Sequence, residues 1–408
     1  MVAASCAASH GDGLGSTAGI VLLLASALLL LGCQAARGQP APGAGQLARD
    51  LRYYQHGIDF IALPDGRYYL IWSSQGNPPP TQVRRGRWTH DIYYSVIDPI
   101  APRIQPVTFI SNPEAQEPAS GAISEDGHIF VTMEDGWNTT ESIAQRYGVY
   151  DTWLNPVLPY PQMVHDGGHS GHVAAVGNHF VVFYSDGWVE GGGVDNLGSG
   201  DDVQASIYNS TGVLEAEADV AVGSATRDWW PILAGSPKRA CLIWQRFVEG
   251  ETYAALMVAM LDPAPGALIG EPVMLQMGMK YYTYSVAYLP SIDRFLVLGA
   301  FHAGGGFGYL LDEYGNVTGR NASLPPIVRE SQSAVRDAEG SALVVQITAP
   351  TGVMVLSVTS SDITLERTIA DDFAWQYCGT DGIFLDDRRA FIVSLSSGGL
   401  VAKTFDVR

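Results

Sequence analysis

The sequence repeats one pattern seven times, and this repetition restricts the fold more than any other feature of the chain. Each unit has a polar start, an apolar strand, a turn and a second apolar strand. The closest matches are YLIW (69–72) with CLIW (241–244), and IFVTMEDGW (129–137) with HFVVFYSDGW (179–188). The units begin at His56, Glu117, His169, Arg227, Tyr282, Glu330 and Cys378.

Each unit continues into a third strand in which apolar and polar residues alternate, such as DIYYSVIDP (91–99) and VQASIYNSTG (203–212). Convincing amphipathic helices are missing. The pattern therefore predicts an all-β fold, a seven-bladed β-propeller of mostly four-stranded blades. The seventh unit ends after three strands, so we predict that Leu47–Tyr54 supplies its outer strand and closes the ring.

The amino-terminal segment has the pattern of a targeting signal. The run GIVLLLASALLLLG (19–32) has the length of a signal peptide, and Leu30-Leu31-Gly32-Cys33 resembles a bacterial lipobox. The first 18 residues contain no Lys or Arg, which is unusual for such a signal. We expect a signal in residues 1–33, a flexible tether in 34–46 and a single propeller domain in 47–408. A freely secreted protein and a cell-surface lipoprotein with a lipid anchor both fit.

The charge balance limits the choice of partners. The 408 residues carry a formal net charge of −19, which disfavours a nucleic-acid partner because polyphosphates bind basic surfaces. An anionic substrate would need a local cluster of basic side chains. We expect the protein to be a monomer.

Metal binding has weak support in the sequence. Outside the signal region the cysteines are Cys241 and Cys378, with no zinc-finger spacing. His165, His169 and His172 follow one another closely, but a strand does not present all three spacings on one face. The identity of any catalytic metal is left open, and a calcium ion, if present, would be structural.

In a propeller the first strand of each blade lines the central channel, and function usually lies where these strands begin. The seven unit starts are therefore predicted to form a ring at one mouth of the channel. The loops between second and third strands add basic residues to the same face: Arg84, Arg85, Arg87, His90, Arg146, Arg246 and His302.

Several of these residues have a structural interpretation as well as a functional one. The histidines of HDGGHSGH (165–172) could simply hydrogen-bond neighbouring blades. In RDWWP (227–231), Trp229 and Trp230 could stack on a sugar or fill the core, and core is expected for one of them. The tyrosines of KYYTYSVAY (280–288) could pack, or act as a general acid or base.

The block HDGGHSGHVAAVGNHFVVFYSDGW (165–188), with RDWWP and LIWQRF in the next unit, resembles ulvan lyases of the seven-bladed propeller type. These are polysaccharide lyases that cut sulfated algal glycans. The resemblance extends from about His56 to the end of the chain. It implies β-elimination at a 4-linked uronic acid, an anionic polysaccharide as partner, and no organic cofactor.

Elimination needs a cation on the uronate carboxylate, a base for the C5 proton and an acid for the leaving oxygen. On this resemblance Arg227 is expected to neutralise the carboxylate, with Arg246 as its rival. His169 is expected to be the base. Tyr282 is the expected acid, with Tyr281 next. The expected substrate-binding residues are His56, His165, His172, Arg246, Tyr281, Trp229 and His302.

Two other functions remain open on the sequence alone. A glycoside hydrolase would need two carboxylates on either side of the scissile bond, and Glu117 and Glu330 are the carboxylates in the predicted ring. A non-catalytic surface propeller that binds a glycan or a protein would keep the aromatic residues but tolerate the loss of His169 or Arg227.

Overall fold

A computed structural model gives the architecture of the chain. It describes residues 49–50, 55–75, 90–112, 115–136, 143–186, 202–223, 226–350, 352–371, 379–396 and 399–408. The predicted signal and tether, the loop arginines 84, 85 and 87, and Cys378 lie outside the described residues. Within these ranges, no helix is long and apolar enough to span a membrane.

The described chain forms antiparallel sheets that make up seven blades, so the predicted propeller is confirmed. The first strand, β1 (Arg49–Asp50), belongs to the last blade. Blade 1 contains β2 (Gln55–Ala62), β3 (Tyr68–Gln75), β4 (His90–Ile97) and β5 (Val107–Ile110). Blade 2 contains β6 (Gln116–Ile123), β7 (Ile129–Asp135), β8 (Ala144–Tyr150) and β9 (Pro156–Asp166). Blade 3 contains β10 (His169–Val176), β11 (His179–Asp186), β12 (Asp202–Asn209) and β13 (Leu214–Ala221).

Blades 4 and 5 form one continuous sheet. Blade 4 contains β14 (Asp228–Gly235), β15 (Ala240–Phe247), β16 (Ala254–Asp262), the short β17 (Ala267–Leu268) and the beginning of β18 (Val273–Leu289). The rest of β18 is the inner strand of blade 5, followed by a 3₁₀ turn (Pro290–Ile292), β19 (Arg294–Phe301), β20 (Gly306–Leu311) and β21 (Val317–Leu324). Because β18 pairs first with β16 and then with β19, it is both the outer strand of one blade and the inner strand of the next.

The ring closes through the first described strand. Blade 6 contains β22 (Ala334–Ala338), β23 (Ser341–Ile347), β24 (Val353–Val358) and β25 (Ile363–Ile369). Blade 7 contains β26 (Thr380–Phe384), β27 (Arg389–Ser396) and β28 (Gly399–Asp406). Arg49 pairs with Val401 and Asp50 with Leu400. The prediction that the segment 47–54 completes blade 7 is therefore confirmed for Arg49–Asp50.

The hydrophobic core lies between neighbouring blades. Each sheet is apolar on both faces, because each blade is covered by the blade before it and the blade after it. Between blades 3 and 4, for example, the rings of Phe183 and Trp244 meet edge to face at 5.8 Å between centroids. Burying a side chain of this size contributes about 1.5–3 kcal/mol, so the blades stabilise one another chiefly through these contacts.

The inner strands of blades 1 to 4 are each interrupted by a β-bulge close to their beginning. The interruptions lie between His56 and Ile58, Glu117 and Ala119, His169 and His172, and Trp229 and Ile232. This register places Trp229, and not Arg227, at the position equivalent to His169. The predicted ring is therefore wrong by two residues in blade 4, because the hairpin loop there (236–239) is longer than the loop in blade 3 (177–178).

Candidate active site

The bulges at the channel mouth hold several residues in a conformation that side chains rarely adopt. Ser170, Trp230 and Tyr282 have φ angles of 55°, 58° and 60°. A residue other than glycine in this left-handed region costs on the order of 1–3 kcal/mol and persists only where its surroundings enforce it. Such strain is often found at active sites, and here it occurs at the starts of blades 3, 4 and 5, where the sequence places its candidate catalytic residues, and also at Glu330 before blade 6, with a φ of 53°.

His169 begins β10 and is completely buried, with 0% of its surface exposed. Its ring lies 4.6 Å from the Trp229 ring, and its Nδ1 lies 3.2 Å from the hydroxyl of Ser170. Burial, and then the positive charge of Arg227, lower the pKa of His169 to about 3. The imidazole is therefore neutral at ordinary pH, which is the protonation state that a general base requires.

Arg227 lies just before β14 and connects His169 to blade 5. Its guanidinium carbon is 5.2 Å from the centre of the Trp229 ring and 5.0 Å from that of Phe247. The Phe247 ring lies 5.2 Å from the ring of Tyr281. Together, His169, Trp229, Arg227, Phe247 and Tyr281 form a continuous group, which we call the mouth cluster.

Tyr281 is the partly exposed member of the mouth cluster. Burial raises the pKa of its phenol, and the charge of Arg227 partly offsets this rise. The phenol therefore stays protonated near neutral pH and can donate a proton. Arg227 lies close enough to act electrostatically on both Tyr281 and His169.

Arg246 is bound to a carboxylate beside this cluster. Its Nε and Nη2 donate to the two oxygens of Asp228 at 2.8 and 3.1 Å, a bidentate ion pair. Asp228 also accepts from Trp244 Nε1 at 2.6 Å and from the Thr226 hydroxyl at 2.8 Å. The charge of Arg246 is thus compensated in place, although 28% of its side chain is exposed.

Tyr282 points into a different environment from Tyr281. It is 4% exposed, and the guanidinium of Arg329 lies 4.0 Å from the centre of its ring. The rings of Tyr282 and Trp230 are nearly perpendicular, with their centroids 5.5 Å apart. Arg329 in turn donates to Glu330 at 2.6 Å. The structure therefore places Tyr281 near Arg227 through Phe247, and places Arg329 over the ring of Tyr282.

The remaining predicted site histidines are distributed around the face. His172 Nδ1 lies 2.8 Å from the carbonyl oxygen of Pro231, so this nitrogen donates to the next blade. His165 is 31% exposed, and its Nε2 lies 3.2 Å from Asp186. His302 Nε2 lies 3.3 Å from the Thr252 hydroxyl. His56 lies in β2, and its side chain is outside the described residues.

Trp229 and Trp230 are both buried, with 2% and 8% of their surfaces exposed. Trp229 packs between His169 and Arg227, and Trp230 packs against His172 and Tyr282. In this structure neither ring offers an open face to a sugar. Core packing was expected for one of the two tryptophans, and it is found for both.

The two carboxylates of the predicted ring are each paired with a basic side chain. Glu117 is in an ion pair with the buried His90, and Glu330 with Arg329. No group of three or more His, Cys, Asp or Glu side chains in the described ranges is arranged to hold a metal ion.

Sequence reasoning missed two aspartates of the central channel. A cavity of about 390 Å³ is lined by residues that include Asp59, Asp381, Ser120 and His172. Burial raises the pKa of Asp59 to about 7. Burial and the neighbouring Asp59 raise the pKa of Asp381 well above its usual value. An acidic residue inside an apolar strand, as in GIDFIA and TDGIF, is the signal that could have identified them.

The fold and the mouth cluster define this chain as a seven-bladed propeller with titratable groups at one mouth of its channel. No family model and no curated protein sequence matches it. Solved structures that share the fold include the following three. A protein of unknown function from Dyadobacter fermentans is 11% identical, with a TM-score of 0.54, over 90% of this chain and 100% of its own. A chain of the mitotic checkpoint complex is 10% identical, with a TM-score of 0.51, over 91% and 98%. The polysaccharide lyase Uly1 is 10% identical, with a TM-score of 0.50, over 92% and 95%.

At these identities the similarity concerns the fold alone. The structures include a polysaccharide lyase and a chain of a mitotic complex, so one architecture serves different functions. Function must therefore be argued from the side chains of this chain.

Proposed function

We propose that this chain is a polysaccharide lyase that cleaves a sulfated, uronic-acid-containing glycan of the ulvan type by β-elimination. One observation carries the proposal: the mouth cluster joins a neutral histidine, an arginine and a partly exposed tyrosine in one continuous group. These are the three kinds of group that the elimination requires.

The position of the reacting proton explains why His169 and Arg227 are paired in the proposal. The C5 proton lies on the carbon next to the carboxylate, so the base and the neutralising cation must reach neighbouring atoms of one sugar. His169 and Arg227 both contact Trp229, and Arg227 lowers the pKa of His169 through its charge. This proximity favours His169 as the base over His165, which is more exposed but pairs with Asp186.

Arg227 is preferred to Arg246 because of its position. Arg246 makes a bidentate ion pair with Asp228 beside the mouth cluster. The guanidinium of Arg227 lies within the cluster, against the rings of Trp229 and Phe247, and acts electrostatically on both His169 and Tyr281. A guanidinium between the proposed base and acid is placed to stabilise the developing enolate of the uronate.

Tyr281 is preferred to Tyr282 as the acid for the leaving oxygen, because it is accessible and lies beside Arg227. In the proposed step His169 takes the C5 proton. The electrons of that bond form the C4–C5 double bond, the C4–oxygen bond breaks, and Tyr281 gives its proton to the departing oxygen. The step needs no oxidant and no organic cofactor.

For His169 to act as the base, the sugar must gain access to its imidazole. His169 has no exposed surface, and the Trp229 ring lies against it. The Trp229 side chain must therefore move when the sugar binds, so that the imidazole reaches C5. Binding energy from the rest of an extended polysaccharide can drive such a rearrangement.

The test is the absorbance at about 230 nm of purified protein mixed with ulvan, because removal of the C5 proton leaves a conjugated double bond. His169→Ala, Arg227→Ala and Tyr281→Phe are compared with parent protein. His179→Ala and Arg320→Ala are matched controls, since these residues contact Glu215 and Tyr309 away from the mouth cluster. The three variants are expected to lose the signal and the two controls to keep it.

Other outcomes separate the rival assignments. No signal from the parent on ulvan or on any other uronate polymer would reject the lyase and favour a binding propeller. Activity that survives in His169→Ala but is lost in His165→Ala would transfer the role of base to His165.

A further inference from the structure

We propose that Gln245 is a positioning residue that fixes the Tyr281–Tyr282 segment from the preceding blade; this inference rests on the proposed function. Gln245 lies in β15 of blade 4, opposite Trp229, and is completely buried. Its Oε1 accepts a hydrogen bond from the backbone N–H of Tyr282 at 2.8 Å. The side chain therefore crosses from one blade to the backbone of the next.

The backbone that Gln245 holds lacks regular support within its own blade. The pairing of β18 with β19 is interrupted between Met279 and Tyr284, so the residues between them leave the ladder. Tyr282 also has a φ of 60°. A strained conformation needs a specific partner, and a buried backbone N–H is costly to leave without one. Gln245 supplies that partner one residue away from Tyr281.

The same arrangement occurs at the bulge that carries His169. There, Gln145 Oε1 accepts from the N–H of Gly171 at 3.0 Å, and Glu134 accepts from the N–H of Ser170 at 3.0 Å. A Cβ at Gly171 would lie 2.5 Å from Cδ of Gln145, so the amide packs directly on the bulge. Thus the two irregular segments that carry His169 and Tyr281 are both fixed by buried side chains of the preceding blade.

Substitutions of Gln245 can separate the effect of its acceptor from the effect of its size. In the part of the chain that the structure describes, its Nε2 has no hydrogen-bond partner, so the amide of Gln245 contributes as an acceptor. Gln245→Glu keeps an acceptor at the same place, whereas Gln245→Met keeps the size and removes the acceptor. Gln346→Met is the matched control, because Gln346 is equally buried but bonds to Ser331 and Ser333 in blade 6.

The experiment measures kcat and KM on ulvan together with hydrogen exchange of the Tyr282 amide. Gln245→Met is expected to lower kcat about tenfold or more, with KM changed less than about threefold, since small displacements of catalytic groups cost rate. The Tyr282 amide is expected to exchange faster. Gln245→Glu is expected to have the kcat and the Tyr282 amide exchange rate of the parent. Gln346→Met is expected to change neither quantity.

Two results would overturn the inference. One is unchanged exchange of the Tyr282 amide in Gln245→Met; the other is an equal loss of kcat in Gln245→Met and Gln245→Glu, which indicates a packing role. If Gln245→Met does not fold, Gln245→Asn replaces it, since a shorter amide withdraws the acceptor. A parent without lyase activity would reject the proposed function and the catalytic part of this inference, while the exchange measurement still decides whether Gln245 fixes the segment.

Discussion

Asp381 of blade 7 and Asp59 of blade 1 form a carboxyl pair in which each side chain reaches the backbone of the next blade. Asp381 accepts from the N–H of Phe60 at 3.0 Å, and Asp59 accepts from the N–H of Gly121 at 2.8 Å. The Ser120 hydroxyl also donates to Asp59, at 3.2 Å. The pair therefore connects three consecutive blades at the point where the ring closes.

The pair makes stability depend on pH. Burial raises the pKa of Asp59 from 3.8 to about 7, so the folded state keeps a proton that the unfolded state has lost. The stabilisation that comes from this retained proton is complete below pH 3.8 and is lost as the pH rises through 7. We expect the free energy of unfolding of the parent to fall relative to Asp59→Asn by up to about 1.4 kcal/mol per pH unit in this window. Urea denaturation between pH 4 and 8 measures this, with the exposed Asp387→Asn as control. A constant difference between parent and Asp59→Asn would contradict it.

If His169 is the base of the proposed elimination, its burial predicts how the rate depends on pH on the acid side. Its pKa is lowered to about 3, so the imidazole remains neutral and able to accept a proton well below pH 6.5. We expect kcat/KM of the parent on ulvan to show no loss attributable to this base between about pH 5 and 7. A fall in kcat/KM below about pH 6.5 that disappears when another histidine is substituted would show that His169 is not the base.

The same shift affects folding in acid. Below about pH 6.5 the unfolded state binds a proton at His169 that the folded state does not bind, so stability falls as the pH drops towards 3. His169→Phe removes this titration. We expect the variant to lose less stability than the parent between pH 6.5 and 4, measured by urea denaturation, with the surface variant His179→Phe behaving like the parent.

The Asp228–Arg246 pair should be strongly coupled. Asp228 is 1% exposed and accepts from Nε and Nη2 of Arg246, so its removal leaves a charge and the Trp244 N–H without their acceptor. We expect Asp228→Ala to destabilise the fold by about 3 kcal/mol, with a smaller cost in an Arg246→Met background. A double-mutant cycle in urea gives the coupling, and strict additivity would contradict the prediction.

Closure by β1 is tested by truncation. Deleting residues 1–46 leaves β1 in place and is expected not to change Tm, whereas deleting 1–54 removes the strand that covers β28. The longer deletion exposes the edge of blade 7, so we expect a lower Tm in calorimetry and a tendency to aggregate. Equal Tm values for the two truncations would show that closure does not depend on this strand.

Much of the fold follows from the sequence, because the repeated alternation of apolar residues predicts the blades and an incomplete last blade requires a strand from the other end. Alternation does not reveal where a bulge falls or how long a hairpin loop is, so the sequence aligns Arg227 with His169 where the structure aligns Trp229. The alternation of apolar residues also gives no sign that β18 serves two blades, which only the pairing of the strands reveals.

The site is harder to predict for a related reason. Tyr281 and Tyr282 are adjacent in sequence, and only the irregular backbone between Met279 and Tyr284 determines which phenol lies beside Arg227. Asp59 and Asp381 are separated by almost the whole chain and meet only when the ring closes. Contacts of this kind form only when the ring closes, and local sequence patterns do not indicate which residues then meet.

The pairing of β1 with β28 also determines how the molecule is oriented when it is held by its amino-terminal end. The chain enters the propeller at the outer rim of blade 7, and in a ring of seven, blades 3 and 4 lie on the far side from that point. A support that held the residues before Arg49 would therefore meet the propeller at the rim of blade 7, across the ring from the two blades that carry His169 and Arg227. The place of the first strand in the sheet order would then set how far those two blades stand from the support.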